Sequence, residues 1–372
     1  MSQKIYYIKN NDYTSLDIYF SKNSVNTLFL VCDNAIKFLK YDLYFKNLED
    51  RMNIKVIRFD DFKPNPDYSS VKKGVKKYLE NNCNMIFAIG GGSAIDVAKC
   101  IKLYLNMNHN KNYLTQNIVP NDIKLAAIPT TAGTGSEATK YAVVYYNGAK
   151  QSVSHESCIP TTVFMDASVL ETLPEYQKKA TMLDALCHAI ESFWSVNSNK
   201  ESKAYSKEAI QLILDNKDLY FTNNVIGNEN MLRASHISGK AINITQTTAG
   251  HAMCYKMTSL YGIAHGHAAA LCVSKLWKYM INNTDKCIDS RGQDYLVCVF
   301  NEIAEAMGCN NPRESVEKFD RILYDIGIES PVVYGSGDFE LLDNSVNPVR
   351  LKNNPVELDL ESIDRIYHEI LK

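Results

Sequence analysis

The stretch MIFAIGGGSAIDVAK (85–99) runs a short apolar segment into three glycines and a serine, then into a helical pattern. A continuous apolar run of that length, bounded by glycine, reads as a strand buried on both faces of a parallel sheet. Without Cβ atoms at Gly90, Gly91 and Gly92, the backbone can approach phosphate oxygens closely. The N–H groups opening the next helix add donors and a partial positive charge, the geometry that suits a dinucleotide pyrophosphate. The string is not GxGxxG, and by itself it serves equally as a tight turn with no ligand. A second turn, IPTTAGTGSEAT (128–139), again follows a strand, KLAAIP (124–129), and brings the hydroxyls of Thr130, Thr131, Thr134 and Ser136 to the same sheet edge. Two such turns point to one shared ligand. Ser93, and Asp96 on the helix beyond the first turn, join the candidate contacts.

Working outward, LFLVCD (28–33) and IKVIRF (54–59) supply two more strands, alternating with polar helical stretches. Asp33 closes the first of them, where a carboxylate accepts from an adenosine ribose hydroxyl and repels a 2′-phosphate, favouring NAD over NADP. It serves equally well as the N-cap of the AIKFLKY that follows. After about residue 170 the pattern becomes helical, through KKATMLDALCHAIESFW, NMLRASHISGKAINITQ, AAALCVSKLWKYMI and LVCVFNEIAEAM. The expected architecture is an α/β Rossmann-like domain over 1–170 followed by an all-α domain over 171–372. Segment 331–355 reads as a surface loop or excursion before a final short helix.

The 372 residues are 45% hydrophobic, with 40 Lys and Arg against 42 Asp and Glu. A formal charge of −2 argues against the basic surface that nucleic acid or an anionic membrane requires, so the expected partner is a small molecule. The ten cysteines show no CxxC pair and read as reduced thiols without a framework. With neither a secretion signal nor an apolar span of about 20 residues, the expected location is the cytoplasm.

The helical half carries the chemistry. Asp184 and His188 sit four residues apart in a largely apolar helix, so their side chains share one face and can share one divalent ion. That spacing also suits a simple hydrogen bond within a helix, but a carboxylate among Leu183, Ala185, Leu186, Ala189 and Ile190 needs a partner. His251 and His265, in AGHAMCYKMTSLYGIAHGHAAAL, can complete a site of one carboxylate and three imidazoles. Such a set suits Fe2+ or Zn2+ with a position open to a substrate oxygen. His267, two residues beyond His265, points elsewhere and is a candidate proton relay.

GGGSAIDVAK, IPTTAGTGSEAT, DALCHAIES and the histidines ending in AHG together resemble the iron-containing (group III) alcohol dehydrogenase family, in order and approximate spacing over about residues 25–280. The resemblance implies a dehydroquinate synthase-like fold, an N-terminal domain binding NAD(H) or NADP(H), a helical metal domain, an active site between them, and a possible homodimer. It implies metal ligation by Asp184, His188, His251 and His265, and cofactor contacts at Gly91, Gly92, Ser93, Thr130, Thr131, Thr134 and Lys150, with Asp33 at the position of the NAD-discriminating Asp. Where many members carry the second His of HxxxH, a proposed proton relay, this chain has Tyr255, which with His267 becomes a candidate catalytic group.

GKAINIT (239–245), HAMCYKMTSLYGIAHGHA (251–268), Lys140 and His155 further resemble the phosphonoacetaldehyde reductase (hydroxyethylphosphonate dehydrogenase) branch. A phosphonate dianion needs cations nearby, and Lys140, Lys240, Lys256 and His267 fall in or beside the segments carrying the metal and nicotinamide contacts; Tyr141 joins them as a candidate substrate contact. The expected activity is reduction of phosphonoacetaldehyde to hydroxyethylphosphonate. The alternatives are an alcohol dehydrogenase for uncharged short-chain alcohols or diols, and a non-catalytic, metal-stabilised nucleotide-binding scaffold.

Overall fold

The computed structural model describes residues 3–346 and 348–372, and the chain divides into two compact units. The first comprises the chain up to Thr131 together with Gly135–Leu173, and the second comprises Ala132–Thr134 and Pro174–Lys372. The boundary expected at 170 thus falls three residues later, with a short piece of the second glycine-rich turn belonging to the helical unit.

The first unit runs β1 (Lys4–Ile8), α1 (Thr14–Lys22), β2 (Thr27–Cys32), α2 (Tyr41–Lys46), α3 (Leu48–Met52), β3 (Lys55–Phe59), α4 (Tyr68–Glu80), β4 (Met85–Gly90), α5 (Gly92–Tyr104), β5 (Lys124–Pro129), β6 (Tyr141–Tyr146), β7 (Ala149–Ser154) and β8 (Thr162–Asp166). Six strands form one all-parallel sheet in the order β1-β8-β5-β4-β2-β3. The four strands read from sequence are β2, β3, β4 and β5. The two that sequence reasoning passed over are β8 and β1; β1 is an edge strand whose first four residues are exposed, so its KIYYI lacks the pattern of a buried strand. β6 and β7 form a separate antiparallel hairpin turning at Asn147-Gly148, both with positive φ, as the tight hairpin turn requires.

From β2 the chain moves outward to β3, then returns to place β4 on β2's other side and continues to β5. The carboxyl ends of β2 and β4 therefore flank the point where strand order reverses, the crevice where open parallel sheets bind ligands. Asp33 and the Gly90–Gly92 turn both stand there.

The second unit runs α6 (Glu175–Trp194), α7 (Lys200–Phe221), α8 (Val225–Thr245), α9 (Ala249–Tyr261), α10 (His265–Asn282), α11 (Gln293–Ala306), α12 (Pro312–Asp325), α13 (Gly337–Asp343), α14 (Pro348–Leu351) and α15 (Leu360–Ile370). Every residue of α6 from Met182 to Trp194 is buried, so DALCHAIESFW shows no solvent-facing polar stripe and its Asp184, His188 and Glu191 must find partners inside the unit. Segment 331–355 departs from the surface-loop expectation: it holds α13 and α14 and is pinned to α9, since Asp338 accepts from Tyr261 Oη (2.9 Å) and from the Tyr334 N–H (2.8 Å). None of the ten cysteines forms a disulfide, and seven of them are buried. Among the described residues no helix is long and apolar enough to cross a membrane.

Candidate functional site

The helical unit gathers the four expected ligands around one carboxylate oxygen. Asp184 Oδ1 lies 3.3 Å from His251 Nε2, 3.9 Å from His188 Nε2 and 3.9 Å from His265 Nε2. The two longer separations exceed a hydrogen bond. They are instead within the spacing that two atoms can have around one shared ion, at most about 4.2 Å when each lies about 2.1 Å from it. Asp184, His188 and His251 are buried, their ligand atoms mutually within 4.8 Å, and the rings of His188 and His251 stack with centroids 4.5 Å apart. His265 is more open, its side chain 36% exposed, and its ring lies nearly parallel to Tyr255 at 5.4 Å.

The backbone allows this convergence at one critical position. Gly266, at the start of α10, lies so close to α6 that a Cβ there would stand 1.9 Å from the Ala180 carbonyl oxygen and 2.7 Å from Asp184 Cβ. The glycine of AHG thus lets α10 deliver His265 to Asp184.

Sequence reasoning missed one residue of this centre. Glu191 lies on α6, one turn beyond His188 and two beyond Asp184, and is fully buried. Its Oε2 pairs with His251 Nδ1, while its Oε1 accepts from Thr248 N–H (3.1 Å), Thr248 Oγ1 (2.6 Å) and the His251 N–H (3.2 Å). The i, i+4, i+7 series D-x-x-x-H-x-x-E was the signal available. A carboxylate on the far nitrogen of a ligand histidine fixes its tautomer and orientation.

The electrostatics suit a cation. Burial would raise the Asp184 carboxyl, but the facing histidines outweigh it and hold the group well below the usual carboxylate range. Burial lowers His188 to about 4, leaving the neutral imidazole that a metal requires. His251, lowered by burial but flanked by Glu191 and Asp184, is raised on balance, so positive charge is favoured at this point. One ion among these donors would meet that demand.

In the first unit the two glycine-rich turns adjoin. Thr130 N–H donates to the Gly90 carbonyl (3.0 Å), and a Cβ on Gly91 would touch Thr131 at 3.4 Å. A Cβ on Gly90 would meet Ala94 Cβ at 2.6 Å and Asp33 Oδ2 at 3.1 Å, so the carboxylate and the turn share one spot. Asp33 Oδ1 accepts from the Ala35 N–H (2.9 Å), which realises its N-cap reading, and burial raises its pKa. Gly92 and Ser93 open α5. Thr134 belongs to the helical unit, where neighbouring Gly133 packs against Thr181 of α6. Lys150 lies on β7 and contributes to the field at Asp96.

Several expected residues are engaged elsewhere. Asp96 accepts from protein donors at both oxygens, Ser136 Oγ (2.5 Å) and the Val143 N–H (2.9 Å), and so ties α5 to the second turn and to β6. Lys99, fully buried, braces the same turn through Ser136 Oγ, Thr139 Oγ1 and the Tyr141 carbonyl. His267 has both ring nitrogens engaged within the helical unit, Nδ1 with Tyr176 Oη (3.0 Å) and Nε2 with the Glu329 carbonyl (2.8 Å). Lys140 pairs with Glu156 (2.9 Å) and lies 5.9 Å from the Tyr141 ring. Lys240 stands over the Tyr205 ring at 4.1 Å. Lys256 follows Tyr255 on α9 and is half-buried.

Comparison with known proteins adds to this geometry. Residues 3–167 match the family domain described as iron-containing alcohol dehydrogenase, and residues 178–371 match the C-terminal domain of the Fe-containing alcohol dehydrogenase family. The chain is 28% identical to aldehyde-alcohol dehydrogenase 2 of Entamoeba histolytica over 79% of its own length, but spans only 36% of that protein. It is 28% identical to phosphonoacetaldehyde reductase of Streptomyces viridochromogenes, covering 76% of this chain and 75% of that one. Its fold superposes on sulfoacetaldehyde reductase from Bifidobacterium kashiwanohense in complex with NAD+ with a TM-score of 0.86 and 25% identity, covering 99% of this chain and 96% of that chain.

Proposed function

Because the chain belongs to the iron-containing alcohol dehydrogenase family, we propose that it is a metal-dependent, NAD(P)H-linked reductase of a small aldehyde, with phosphonoacetaldehyde as the preferred substrate and hydroxyethylphosphonate as the product. The observation that carries the reading is the convergence of three imidazole Nε2 atoms on Asp184 Oδ1. When bound, a divalent ion there polarises a carbonyl oxygen and a reduced nicotinamide supplies the hydride.

The chain's own residues would do the rest. Asp184, His188, His251 and His265 hold the ion, with Glu191 keeping His251 in the tautomer that presents Nε2. The backbone at Gly90–Gly92, the hydroxyls of Thr130 and Thr131, and Lys150 receive the dinucleotide, with Asp33 toward its ribose and Thr134 at the turn's far end. Tyr255, stacked on His265, is the group we assign to return a proton to the alkoxide oxygen. Lys140, Tyr141 and Lys256 are the substrate contacts retained from the sequence; Lys240 contributes charge from α8.

An anionic substrate is supported by two similar proteins named for anionic aldehydes, phosphonoacetaldehyde and sulfoacetaldehyde. The partners of Lys140 and Lys240 favour a second reading, an enzyme for uncharged aldehydes, since a lysine already paired offers less charge to a ligand. Steady-state assays decide between them. The phosphonate reading requires a higher kcat/KM for phosphonoacetaldehyde than for acetaldehyde, and Lys140→Met or Lys256→Met must raise KM for the phosphonate selectively. Equal effects on both aldehydes leave the uncharged reading, and failure to oxidise NADH or NADPH with any aldehyde leaves a non-catalytic scaffold.

A further inference from the structure

We propose that Tyr176 and His267 act together as positioning residues for the ligand His265, hanging the turn before it from the helix that carries Asp184 and His188. The inference rests on the metal-site reading above. His265 is the least enclosed of the four ligands and opens α10, whose N-cap, Ala264, has no side-chain cap. α9 ends at Gly262 with φ +66°, so only Ile263 and Ala264 separate that turn from His265. Helical hydrogen bonding from the preceding residues is therefore absent at the point where the ligand's direction is set.

Tyr176 supplies what the helix lacks. Its Oη accepts the Ala264 N–H at 2.9 Å and lies 3.0 Å from His267 Nδ1, while His267 Nε2 lies 2.8 Å from the Glu329 carbonyl oxygen. The proton assignments follow from chemistry. A carbonyl oxygen only accepts, so His267 Nε2 carries the proton of the neutral ring, and Nδ1 accepts the Tyr176 hydroxyl proton while Tyr176 Oη accepts from the Ala264 N–H. Tyr176 lies in the first turn of α6, eight residues and about 12 Å along the axis from Asp184. His267 sits about 200° around α10 from His265, so it faces away from the side on which His265 approaches Asp184 while fixing the same turn. One helix thus carries two ligands and holds the entry of a third.

The test uses the full chain, stripped of metal and titrated with Co2+ against a competing chelator while the visible ligand-field bands are recorded. Tyr176→Phe keeps the ring and removes the hydroxyl; we expect about tenfold weaker Co2+ binding and altered bands, the size typical of losing a group that orients a ligand. His267→Leu should match it, and the double variant should be no weaker than either, because both break one chain of bonds. His267→Asn, whose amide oxygen takes the place of Nδ1, should restore the bands and affinity. Wild-type binding and bands in Tyr176→Phe, additive losses in the double variant, or no recovery with Asn overturns the inference. A wild-type chain that binds no Co2+ overturns the metal reading itself, a distinct result. A loss confined to the unfolding midpoint of the metal-free variants, with Co2+ bands unchanged, marks a merely structural role and likewise overturns it.

Discussion

Glu191 and His251, sixty residues apart, form a buried hydrogen-bonded pair in which Glu191 Oε2 takes His251 Nδ1 and leaves Nε2 facing Asp184. The other oxygen of Glu191 gathers the amides of Thr248 and His251 and the Thr248 hydroxyl, so the opening of α9 is tied to α6 at the place where a ligand must be aimed. Replacing Glu191 by Gln sets an amide donor against the Nδ1–H or disturbs the Thr248 bonds. Metal affinity should fall by about 10- to 100-fold, measured by chelator competition, with aldehyde reduction falling in parallel. Wild-type affinity in Glu191→Gln would contradict this account of His251.

Gly266→Ala places a methyl group 1.9 Å from a backbone carbonyl that no side-chain rotation can move. Helix α10 must retreat from α6, at a cost of about 1–3 kcal/mol or more, and His265 retreats with it. Both the unfolding midpoint and metal occupancy should drop. Gly335→Ala, where a Cβ meets nothing within 4 Å, is the matched control and should leave both unchanged.

Asp33 combines an N-cap with a carboxylate beside Gly90, and the two roles separate in Asp33→Ser. Serine retains the cap, so thermal stability should change by no more than about 2 °C. Removing the negative charge should raise the kcat/KM ratio of NADPH to NADH about tenfold, equivalent to about 1.4 kcal/mol. A stable variant with an unchanged cofactor ratio would place the discriminating contact elsewhere.

Asp343, on α13, has a carboxyl raised to about 6 by burial and by repulsion from Asp364 on α15, with His368 opposing the shift. The folded chain thus holds this proton more tightly than the unfolded chain, whose carboxyl titrates near 3.8. The contribution to stability is full below that value and is lost as pH rises toward 6. Asp343→Asn cannot ionise and should melt about 1–3 °C higher than wild type at pH 8, the gain disappearing near pH 4. Melting curves across that interval test the sign; a gain that grows on acidification would refute it.

Much of the fold was legible in local pattern. The apolar runs of β2, β3, β4 and β5 end where turn residues begin, and α6, α8, α10 and α11 announce themselves by helical recurrence. The pairing of Asp184 with His188 needed only the helical period. β1 was not legible, since an edge strand exposed on most of its residues carries no burial pattern, and α13 and α14 hid in a segment rich in Asn, Pro and Gly.

What the sequence determined by itself was which residues share one face of one element, because side-chain direction along a helix or strand repeats with a fixed period. Tertiary structure alone decided which elements face each other. It brought Glu191 to His251, gave both nitrogens of His267 to Tyr176 and Glu329, and filled both oxygens of Asp96 with Ser136 and Val143. A buried polar group takes whatever partner packing sets within about 3 Å, and no local spacing encodes that distance across elements 40 to 90 residues apart.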